Sequence, residues 1–541
     1  MSSIGAGQAS LHTLAGEAPQ DRFGRSLAPA GDVNGDGKPD LIVGAPGRNA
    51  YGLTDNGTAF VYSGTTGQLI VLNDGGADGA RFGWAVSGVG DLDGDGRADL
   101  LAGAPGDSDG SMPLGSARVF SGKTGLPIFT FQAESPGAEF GAAVAGLGDC
   151  NGDGVPDFAI GAHKEDHGAQ DSGSVYAISG KDGSLLWRAD GDAAGDWLGF
   201  AVAGPGDVDG DGFADVLAGA PREDGASSFS GAARVYSGRD GSVLHLFTGA
   251  GLDDLLGHSV AGAGDVDLDG FPDLILGLPA ADSATQKDVG AVQVRSGRDG
   301  SLLHQFLGTA TKEHLGWAVA GAGDFDGDSV PDVLAGTRMT QPGFVPSGAA
   351  RIFSGASGAL LLSLTSAGQE DAFAWSLSGL GDLNGDGRDE FAIGAFDVGF
   401  GPGSASIHLA SCPELESYCF AGANSTGIGA RIGHQGGPSV VIANLVLTAR
   451  NVPSLAHGIF FYGPSKLLVP FGDGYRCVGG GILRLPPVTA SPQGNVAQKL
   501  PMGGAIVPGS TWNFQFWYRD SKGPLQSGFN LSDALSATFC P

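Results

Sequence analysis

The chain has 541 residues, of which 98 are Gly and 16% are charged, and its formal net charge is −30 at pH 7. This length exceeds one ordinary core, and so much glycine with so little charge favours short strands and turns over helices. The acidic balance argues against nucleic acid as a partner, because phosphate binding requires a basic surface. No stretch approaches the roughly 18 consecutive apolar residues of a membrane span, so no transmembrane segment is predicted.

The most regular predicted elements are acidic loops. A nine-residue loop of the general form D-x-[DN]-x-D-G-x-x-D recurs seven times at steps of 58 or 59 residues, always between two short apolar runs. Calcium takes six to eight oxygen ligands, and carboxylates at alternate positions of a tight loop can converge on one point. A single copy would also suit an acidic surface turn without metal. Seven copies at one spacing favour calcium binding, with up to seven Ca²⁺ ions.

In each loop the expected ligands are the side chains at positions one, three, five and nine and the backbone carbonyl at position seven. Of the 28 side-chain positions, 25 are Asp or Glu and three are Asn. The fifth, sixth and seventh sites are expected to be the weakest, because Leu268, Ser329 and Glu390 depart from the pattern. The predicted ligands are Asp32, Asn34, Asp36, Lys38 and Asp40; Asp91, Asp93, Asp95, Arg97 and Asp99; Asp149, Asn151, Asp153, Val155 and Asp157; Asp207, Asp209, Asp211, Phe213 and Asp215; Asp265, Asp267, Asp269, Phe271 and Asp273; Asp324, Asp326, Asp328, Val330 and Asp332; and Asp382, Asn384, Asp386, Arg388 and Glu390.

Each repeat predicts four short strands in one order. In the second repeat, RFGWAVSGVGD precedes the acidic loop, and ADLLAGAPG, a variable polar loop, GSARVFSG, the turn KTG and LPIFTF follow it. Four strands with a period near 58 indicate a propeller blade or a related repeat array. The seventh repeat lacks its fourth strand, and the N-terminal GQASLHTLAG is similar to the fourth strands at 240–249 and 299–308. Residues 11–14 are therefore expected to pair into the last blade and close the ring.

Paired motifs bracket the acidic loops. Phe23-Gly24 is followed by Gly44-Ala45-Pro46, and Phe82-Gly83 by Gly103-Ala104-Pro105. In these motifs the chain resembles the FG-GAP repeats of the integrin alpha-chain propeller, over about residues 8–410. The resemblance implies an all-β fold, a seven-bladed β-propeller of four-stranded blades over residues 1–410. It is looser in four repeats, where the GAP triplet is replaced by Gly161-Ala162-His163, Gly277-Leu278-Pro279, Gly336-Thr337-Arg338 and Gly394-Ala395-Phe396.

The same resemblance implies a candidate ligand rim. The residue that follows each FG-like pair would ring the mouth of the propeller channel, and the alternative for these side chains is packing between blades. Aromatic rims suit the stacking of sugars or the capture of a cationic side chain. The rim residues are Arg25, Trp84, Ala142, Phe200, His258, Trp317 and Trp375.

The loops between the second and third strands do not repeat, and function on repeat scaffolds tends to lie where insertions vary. We therefore expect a protein or glycan ligand on this variable-loop face. His163 and His167 form the densest titratable cluster there. We interpret them as part of a surface loop, because two His at that spacing bind zinc convincingly only on a helix. No nucleophile elbow, phosphate loop or CxxC pair is present.

Residues 411–541 lack the repeat and carry 8 basic and 5 acidic residues, which leaves −33 for the repeat region. Alternating apolar runs separated by Gly, Pro and Ser predict a small β-sandwich. Four cysteines, Cys412, Cys419, Cys477 and Cys540, permit three pairings; we favour Cys412 with Cys419 and Cys477 with Cys540. Cys150 is expected to be a buried apolar thiol. This module resembles those appended to secreted repeat proteins of planctomycetes and myxobacteria.

Together these features favour a secreted or cell-surface calcium-binding propeller in adhesion or matrix assembly. The start MSSIGAGQAS lacks the basic and apolar regions of a signal peptide. Export is nevertheless expected, because cytosolic free calcium is too scarce to fill weak sites. One alternative is a secreted polysaccharide hydrolase or lyase with its site on the variable-loop face. Another is an architectural subunit that assembles through the C-terminal module; the oligomeric state is left open.

Overall fold

The computed structural model describes residues 10–108, 113–133, 135–338, 348–366, 372–396, 401–410, 416–435, 445–501, 506, 510–524 and 527–538. These residues form strands and turns and contain no helix. Accordingly, the described part of the chain has no helix with the length and apolar character needed to span a bilayer. The chain divides into two compact units, one ending at residue 410 and the other spanning 411–541.

In its described residues the first unit contains seven four-stranded antiparallel sheets, which confirms the seven-bladed propeller fold. Within six sheets the strands follow chain order, β2 to β5, β6 to β9, β10 to β13, β14 to β17, β18 to β21 and β22 to β25. The strands are β1 Ser10–Ala15, β2 Ser26–Gly31, β3 Asp40–Ala45, β4 Thr58–Tyr62, β5 Leu69–Asp74, β6 Val86–Gly90, β7 Asp99–Ala104, β8 Ser116–Phe120, β9 Pro127–Gln132, β10 Ala143–Gly148, β11 Asp157–Ala162, β12 Ser174–Ile178, β13 Leu185–Asp190, β14 Ala201–Gly206, β15 Asp215–Ala220, β16 Ala232–Tyr236, β17 Val243–Thr248, β18 Ser259–Gly264, β19 Asp273–Leu278, β20 Ala291–Arg295, β21 Leu302–Leu307, β22 Ala318–Gly323, β23 Asp332–Arg338, β24 Gly348–Phe353, β25 Leu360–Thr365, β26 Phe373–Gly381, β27 Glu390–Ala395 and β28 Ser404–His408.

The seventh sheet is completed by the N-terminal strand, in the order β1-β28-β27-β26. Leu14 lies opposite Ala405 and His12 opposite Ile407. Leu14 is buried in a cluster that also contains Phe23 and Leu41 of the first repeat. The predicted closure of the last blade by residues 11–14 is therefore confirmed, and the pairing removes an exposed sheet edge.

The paired glycine motifs have a steric cause. A Cβ atom built on Gly44 would lie 1.9 Å from the carbonyl oxygen of Gly83 in the next sheet, and one on Gly103 would lie 1.9 Å from the carbonyl oxygen of Gly141. No side chain fits at such a distance, so neighbouring sheets approach this closely only where the first residue of the GAP triplet is Gly. The motif thus records the backbone contact between consecutive blades.

The second unit is built from three sheets in its described residues. One has six strands in the order β29-β39-β38-β32-β35, with β36 also paired to β32; the others are β30-β31-β37 and the hairpin β33-β34. Its strands are β29 Glu416–Tyr418, β30 Arg431–Gln435, β31 Val446–Arg450, β32 His457–Gly463, β33 Ser465–Phe471, β34 Gly474–Gly479, β35 Leu483–Arg484, β36 Val488–Thr489, β37 Val496–Lys499, β38 Thr511–Asp520 and β39 Gly528–Thr538. Leu447 and Val496 of the three-stranded sheet share a core with Phe460 and Phe516 of the six-stranded sheet. This packing of two sheets agrees with the predicted sandwich.

The favoured cysteine pairing is wrong. Cys419 is bonded to Cys477, 58 positions later in the chain, with a Cα–Cα distance of 6.3 Å. The neighbouring Tyr418 hydroxyl donates a hydrogen bond of 2.9 Å to the carbonyl oxygen of Cys477, so strand pairing and packing bring these two segments together. Cys412 and Cys540 lie outside the described residues. Cys150 is a buried free thiol, as expected.

Candidate metal loops and the channel mouth

Each acidic loop joins the first strand of a sheet to the second, and its closing residue begins that second strand. The second strands are buried except at Arg338, the last residue of β23, and the closing carboxylates are fully buried. In the second loop the first residue organises the turn: Asp91 Oδ1 accepts hydrogen bonds from the amides of Gly94 and Asp95, at 2.8 and 3.0 Å. Its Oδ2 accepts a bond of 2.9 Å from the amide of Gly96. The turn is therefore formed by the carboxylate itself.

The closing carboxylate has a role that the sequence did not predict. Asp99 Oδ2 accepts the amide of Leu92 at 2.8 Å, and Asp99 Oδ1 accepts the amide of Gly122 at 3.0 Å. Gly122 lies in the turn after the third strand. One buried carboxylate therefore links the acidic loop to that turn, which lies on the same face. The corresponding amides in the other sheets are Gly64, Gly180, Gly238, Gly297, Gly355 and Ala410. The recurring Ser-Gly dipeptide, 23 or 24 residues after the closing residue in six repeats, was the available signal.

Four loops gather three carboxylates whose oxygens lie within 4.8 Å of one another. An all-oxygen donor set of this kind is compatible with Ca²⁺. The clusters are Asp91, Asp93 and Asp99; Asp207, Asp209 and Asp215; Asp265, Asp267 and Asp269; and Asp324, Asp326 and Asp332. Two of these loops are the ones with Leu268 and Ser329, which both adopt the left-handed conformation normally taken by Gly, with φ of 60° and 70°. The expected weakness of these two sites stays a prediction.

Electrostatics within the clusters favour a cation. Burial, with nearby carboxylates adding to it, raises the pKa of Asp99, Asp215 and Asp273 to about 6. The same causes raise the pKa of Asp332 to about 8. A bound divalent ion would offset the repulsion between these neighbouring carboxylates by attracting each of them.

The loops with Asn at position three are built differently. Asn34 Nδ2 donates to Asp36 Oδ2 at 3.2 Å and to Asp40 Oδ1 at 3.0 Å. Asn384 makes the equivalent bonds to Asp386 and Glu390, at 3.1 and 3.0 Å. The amide group lies between the carboxylates that a cation would join. Within the described residues, these loops and the third form no three-carboxylate cluster.

At position seven, where the backbone carbonyl stays a predicted ligand, the side chain in several repeats reaches the loop of the preceding blade. Lys38 Nζ donates to the carbonyl oxygen of Asp382 at 2.5 Å. Arg97 Nη1 lies 4.0 Å from Asp32 Oδ1. Phe213 packs so close to Gly152 that a Cβ there would meet its ring at 2.8 Å. The candidate metal loops are therefore also seams between blades.

The seven predicted rim residues all line one cavity of about 470 Å³. Trp317 lies 5.0 Å from Trp375 and 4.5 Å from His258 between ring centroids, and His258 lies 5.2 Å from Phe200. The guanidinium of Arg25 stacks 3.7 Å from the ring centroid of Trp84 and lies 5.6 Å from that of Trp375. We call this nearly continuous set of side chains the aromatic belt; it comprises Arg25, Trp84, Phe200, His258, Trp317 and Trp375, and only Ala142 interrupts it.

Comparison with known proteins bears on the repeats of the first unit. Residues 23–62, 82–117, 140–178 and 199–237 match the family model of the FG-GAP repeat. Four of the seven repeats of the first unit therefore match the FG-GAP repeat. The chain is also similar to integrin alpha-V of Gallus gallus, 31% identical over 222 residues, which cover 38% of this chain and 21% of that protein. Integrin alpha-4 of Xenopus laevis is 30% identical over 262 residues, 45% of this chain and 24% of its own. The chain thus spans about a quarter or less of the length of these relatives.

Around this cavity the first unit has a second tier of residues that the sequence did not predict. Trp197 lies 5.9 Å from Phe200, and Arg338 lies 4.4 Å from the ring of Trp317. Trp197 precedes its FG-like pair, at a position that also takes positive φ in Arg81 and Glu139. That recurring left-handed turn places Glu139 and Trp197 at the cavity, whereas Arg338 lies at the end of β23. The sequence did not indicate this turn position, because it carries residue types as different as Arg81, Glu139 and Trp197.

Among the predicted surface histidines, His163 is buried in the mouth. Its Nε2 lies 3.4 Å from Glu139 Oε2, and its ring lies 5.3 Å from that of Phe200. Burial lowers the pKa of His163 to about 4, so the ring is neutral at physiological pH. His167 lies instead with Glu165, 3.2 Å away, outside the mouth lining. The two histidines therefore do not form a common metal site.

Proposed function

We propose that this chain is an extracellular adhesion-type FG-GAP propeller, stabilised by calcium, that binds a protein or glycan ligand at the mouth of its channel. The observation that carries the proposal is the aromatic belt around an open cavity. Packing between blades would fill the space among these rings, since protein interiors are close-packed. An unfilled cavity of about 470 Å³ lined by Trp84, Trp317 and Trp375 is instead typical of a binding site.

Calcium has a structural role in this proposal. The carboxylates of the seven loops would hold it, and it would supply positive charge where acidic side chains crowd together. Binding to the folded chain alone adds its free energy to folding. The rigid loops in turn fix the first strands, whose opposite ends carry the belt. The number of ions and their ligand sets, including the backbone carbonyls at position seven, remain part of the proposal.

The polysaccharide-active alternative lacks support at the mouth. Glycoside hydrolysis uses two carboxyl groups that flank the scissile bond. Among the described residues that line the cavity, Glu139 is the only carboxylate, and Lys164 Nζ lies 2.8 Å from it. One ion-paired carboxylate does not provide an acid and a base. We therefore propose binding without catalysis at this place.

A binding screen against glycans and surface proteins, with and without calcium, tests the proposal. The full chain should bind in calcium, and Trp317→Ala and Trp375→Ala should each weaken binding at least about tenfold, because buried aromatic anchors dominate such sites. Leu126→Ala is the matched control, since Leu126 is 65% exposed and lies away from the mouth lining. A ligand whose affinity is unchanged in both Trp variants would refute the mouth as the site.

A further inference from the structure

The mouth of the channel is rich in cations that stack on its aromatic rings. Trp84 carries two guanidiniums, and Trp197 and the Trp317–Trp375 pair carry others. The distances to ring centroids are 3.7 Å for Arg25 on Trp84, 5.7 Å for Arg81 on Trp84, 4.3 Å for Arg222 on Trp197, 5.9 Å for Lys164 on Trp197, and 4.4 and 5.1 Å for Arg338 on Trp317 and Trp375. These groups come from five different blades.

Several arginines elsewhere on the propeller are paired with acids, although among the described residues Arg239 and Arg295 are not. Arg48 lies 3.0 Å from Asp74, and Arg118 lies 3.1 Å from Asp107. The four arginines that stack on rings lining the cavity, Arg25, Arg81, Arg222 and Arg338, form no ion pair within the described part of the chain. In a repeat region with a net charge of −33, these four arginines grouped around one cavity form a local excess of positive charge.

The cations lie close enough to repel one another. Burial, with the positive charges of Arg22 and Arg81 adding to it, lowers the pKa of Arg25 to about 9. An incoming cationic side chain would meet the same repulsion and would find the ring of Trp84 already covered by Arg25. The mouth therefore does not suit the capture of a cation that the aromatic rim alone had suggested. An anion would relieve the repulsion.

The arrangement of the charges narrows the kind of anion. A guanidinium group can donate two parallel hydrogen bonds to two oxygens of a carboxylate or a sulfate group. Because the cations are distributed around the ring, a ligand with recurring negative groups would satisfy several of them together. Although Arg338 stacks on them, the rings of Trp317 and Trp375 remain partly exposed and offer apolar surface to a ligand. Sugar rings that carry acidic groups combine both properties.

We propose that the channel mouth binds an acidic polysaccharide, with its carboxylate or sulfate groups on the arginines of blades one, two, four and six. This rests on the proposed function and specifies the ligand class of the same site. It predicts an affinity that falls as salt rises, since the paired charges are screened. It also predicts that neutral polysaccharides of similar length bind much more weakly.

The test measures binding of the full chain, in calcium, to polygalacturonate, to dextran and to poly-glutamate. Polygalacturonate should bind, and the double variant Arg81→Ala/Arg222→Ala should lower its affinity roughly tenfold, the sum expected from two exposed charge contacts. Arg239→Ala is the control, because Arg239 is also exposed and stacks on an aromatic ring, 5.3 Å from Phe213, but at the metal-loop face. It should leave the affinity unchanged.

Three results would overturn the inference: dextran binding as tightly as polygalacturonate, an equal loss in Arg239→Ala, or tight binding of poly-glutamate with none of polygalacturonate. The first result, if lost in Trp317→Ala, would leave the proposed function standing, because the mouth would still be the ligand site. Measuring the melting temperature of each variant excludes unfolding as the cause of lost binding. Arg81 and Arg222 are partly or fully exposed, so both substitutions should be tolerated.

Discussion

The side-chain hydroxyl of Ser376 donates a hydrogen bond of 2.8 Å to the carbonyl oxygen of Gly24, 352 residues earlier in the chain. The same contact joins consecutive blades, where Ser259 donates to Gly316 at 2.8 Å. The seventh blade is thus joined to the first by the same bond that joins the first to the second and the fifth to the sixth. Ring closure therefore depends on ordinary contacts between blades, together with the β1 strand that completes the last sheet.

Because β1 completes the last blade, the free energy of unfolding should be sensitive to substitutions in this N-terminal strand. Leu14→Ala should lower the free energy of unfolding by about 2–4 kcal/mol, because Leu14 is buried in the last blade against residues of the first. Thr13→Ala, in the same strand but exposed, should change it by less than about 0.5 kcal/mol. Urea unfolding compares them. Equal effects of the two substitutions would contradict the importance of this strand.

In the acidic loops, the hydrogen bonds of the closing carboxylate can be separated from the proposed calcium binding by isosteric substitutions. Asp99→Asn should lower stability by about 1–3 kcal/mol even in excess chelator, because the buried carboxylate accepts backbone amides from two connections. Asp93→Asn should leave the chelated protein nearly unchanged, since Asp93 is exposed, but should reduce the stabilisation gained on adding calcium. Thermal unfolding with and without calcium distinguishes them. If Asp99→Asn had no effect in chelator, the structural role would be excluded.

The fifth loop holds a correctable strain. Leu268 is 65% exposed and has a φ of 60°, a conformation that costs a non-glycine residue roughly 1 kcal/mol. Leu268→Gly should therefore raise the free energy of unfolding by up to about that amount. The reverse change, Gly94→Leu, should lower it similarly, because Gly94 has a φ of 74° and open space where a Cβ would lie. Destabilisation by Leu268→Gly would show that this side chain makes a compensating contact.

A buried histidine in the aromatic belt gives a pH dependence with a defined sign. Burial, with Arg338 and His314 adding to it, lowers the pKa of His258 to about 4, below the value near 6.5 of an unfolded chain. The unfolded state therefore binds more protons between these values, and stability falls as the pH drops from 6.5 towards 4. Between pH 7 and pH 5 the loss should reach up to about 2 kcal/mol.

His258→Phe should remove this part of the slope while keeping a ring between Phe200 and Trp317. Denaturant unfolding of both proteins at pH 7 and pH 5 provides the measurement. The variant should lose less stability on acidification than the parent chain. Parallel losses in the two proteins would mean that His258 is already protonated or remains accessible to protons in the folded state.

Much of the candidate site was predictable because it is local. The ligand pattern of each loop lies within nine residues, and the position of the rim is fixed relative to the FG-like pair. The bond from Gly122 to Asp99 was not predicted, although both residues recur at fixed spacing, because nothing in either residue type indicates a pairing across a blade. The Asn34 amide between two carboxylates was missed for a similar reason. The loop pattern makes Asn equivalent to Asp as a ligand, but the Asn side chain also donates hydrogen bonds.

By itself, the sequence determined the period, the four-stranded repeat, the seven blades and the strand that closes them, because each of these depends on residues close together in the chain or on regular spacing. Only the tertiary structure decided that Cys419 pairs with Cys477 and that Arg25 covers Trp84. Disulfide partners and stacked side chains depend on which segments approach in space, and a repeat pattern contains no information on contacts that occur once.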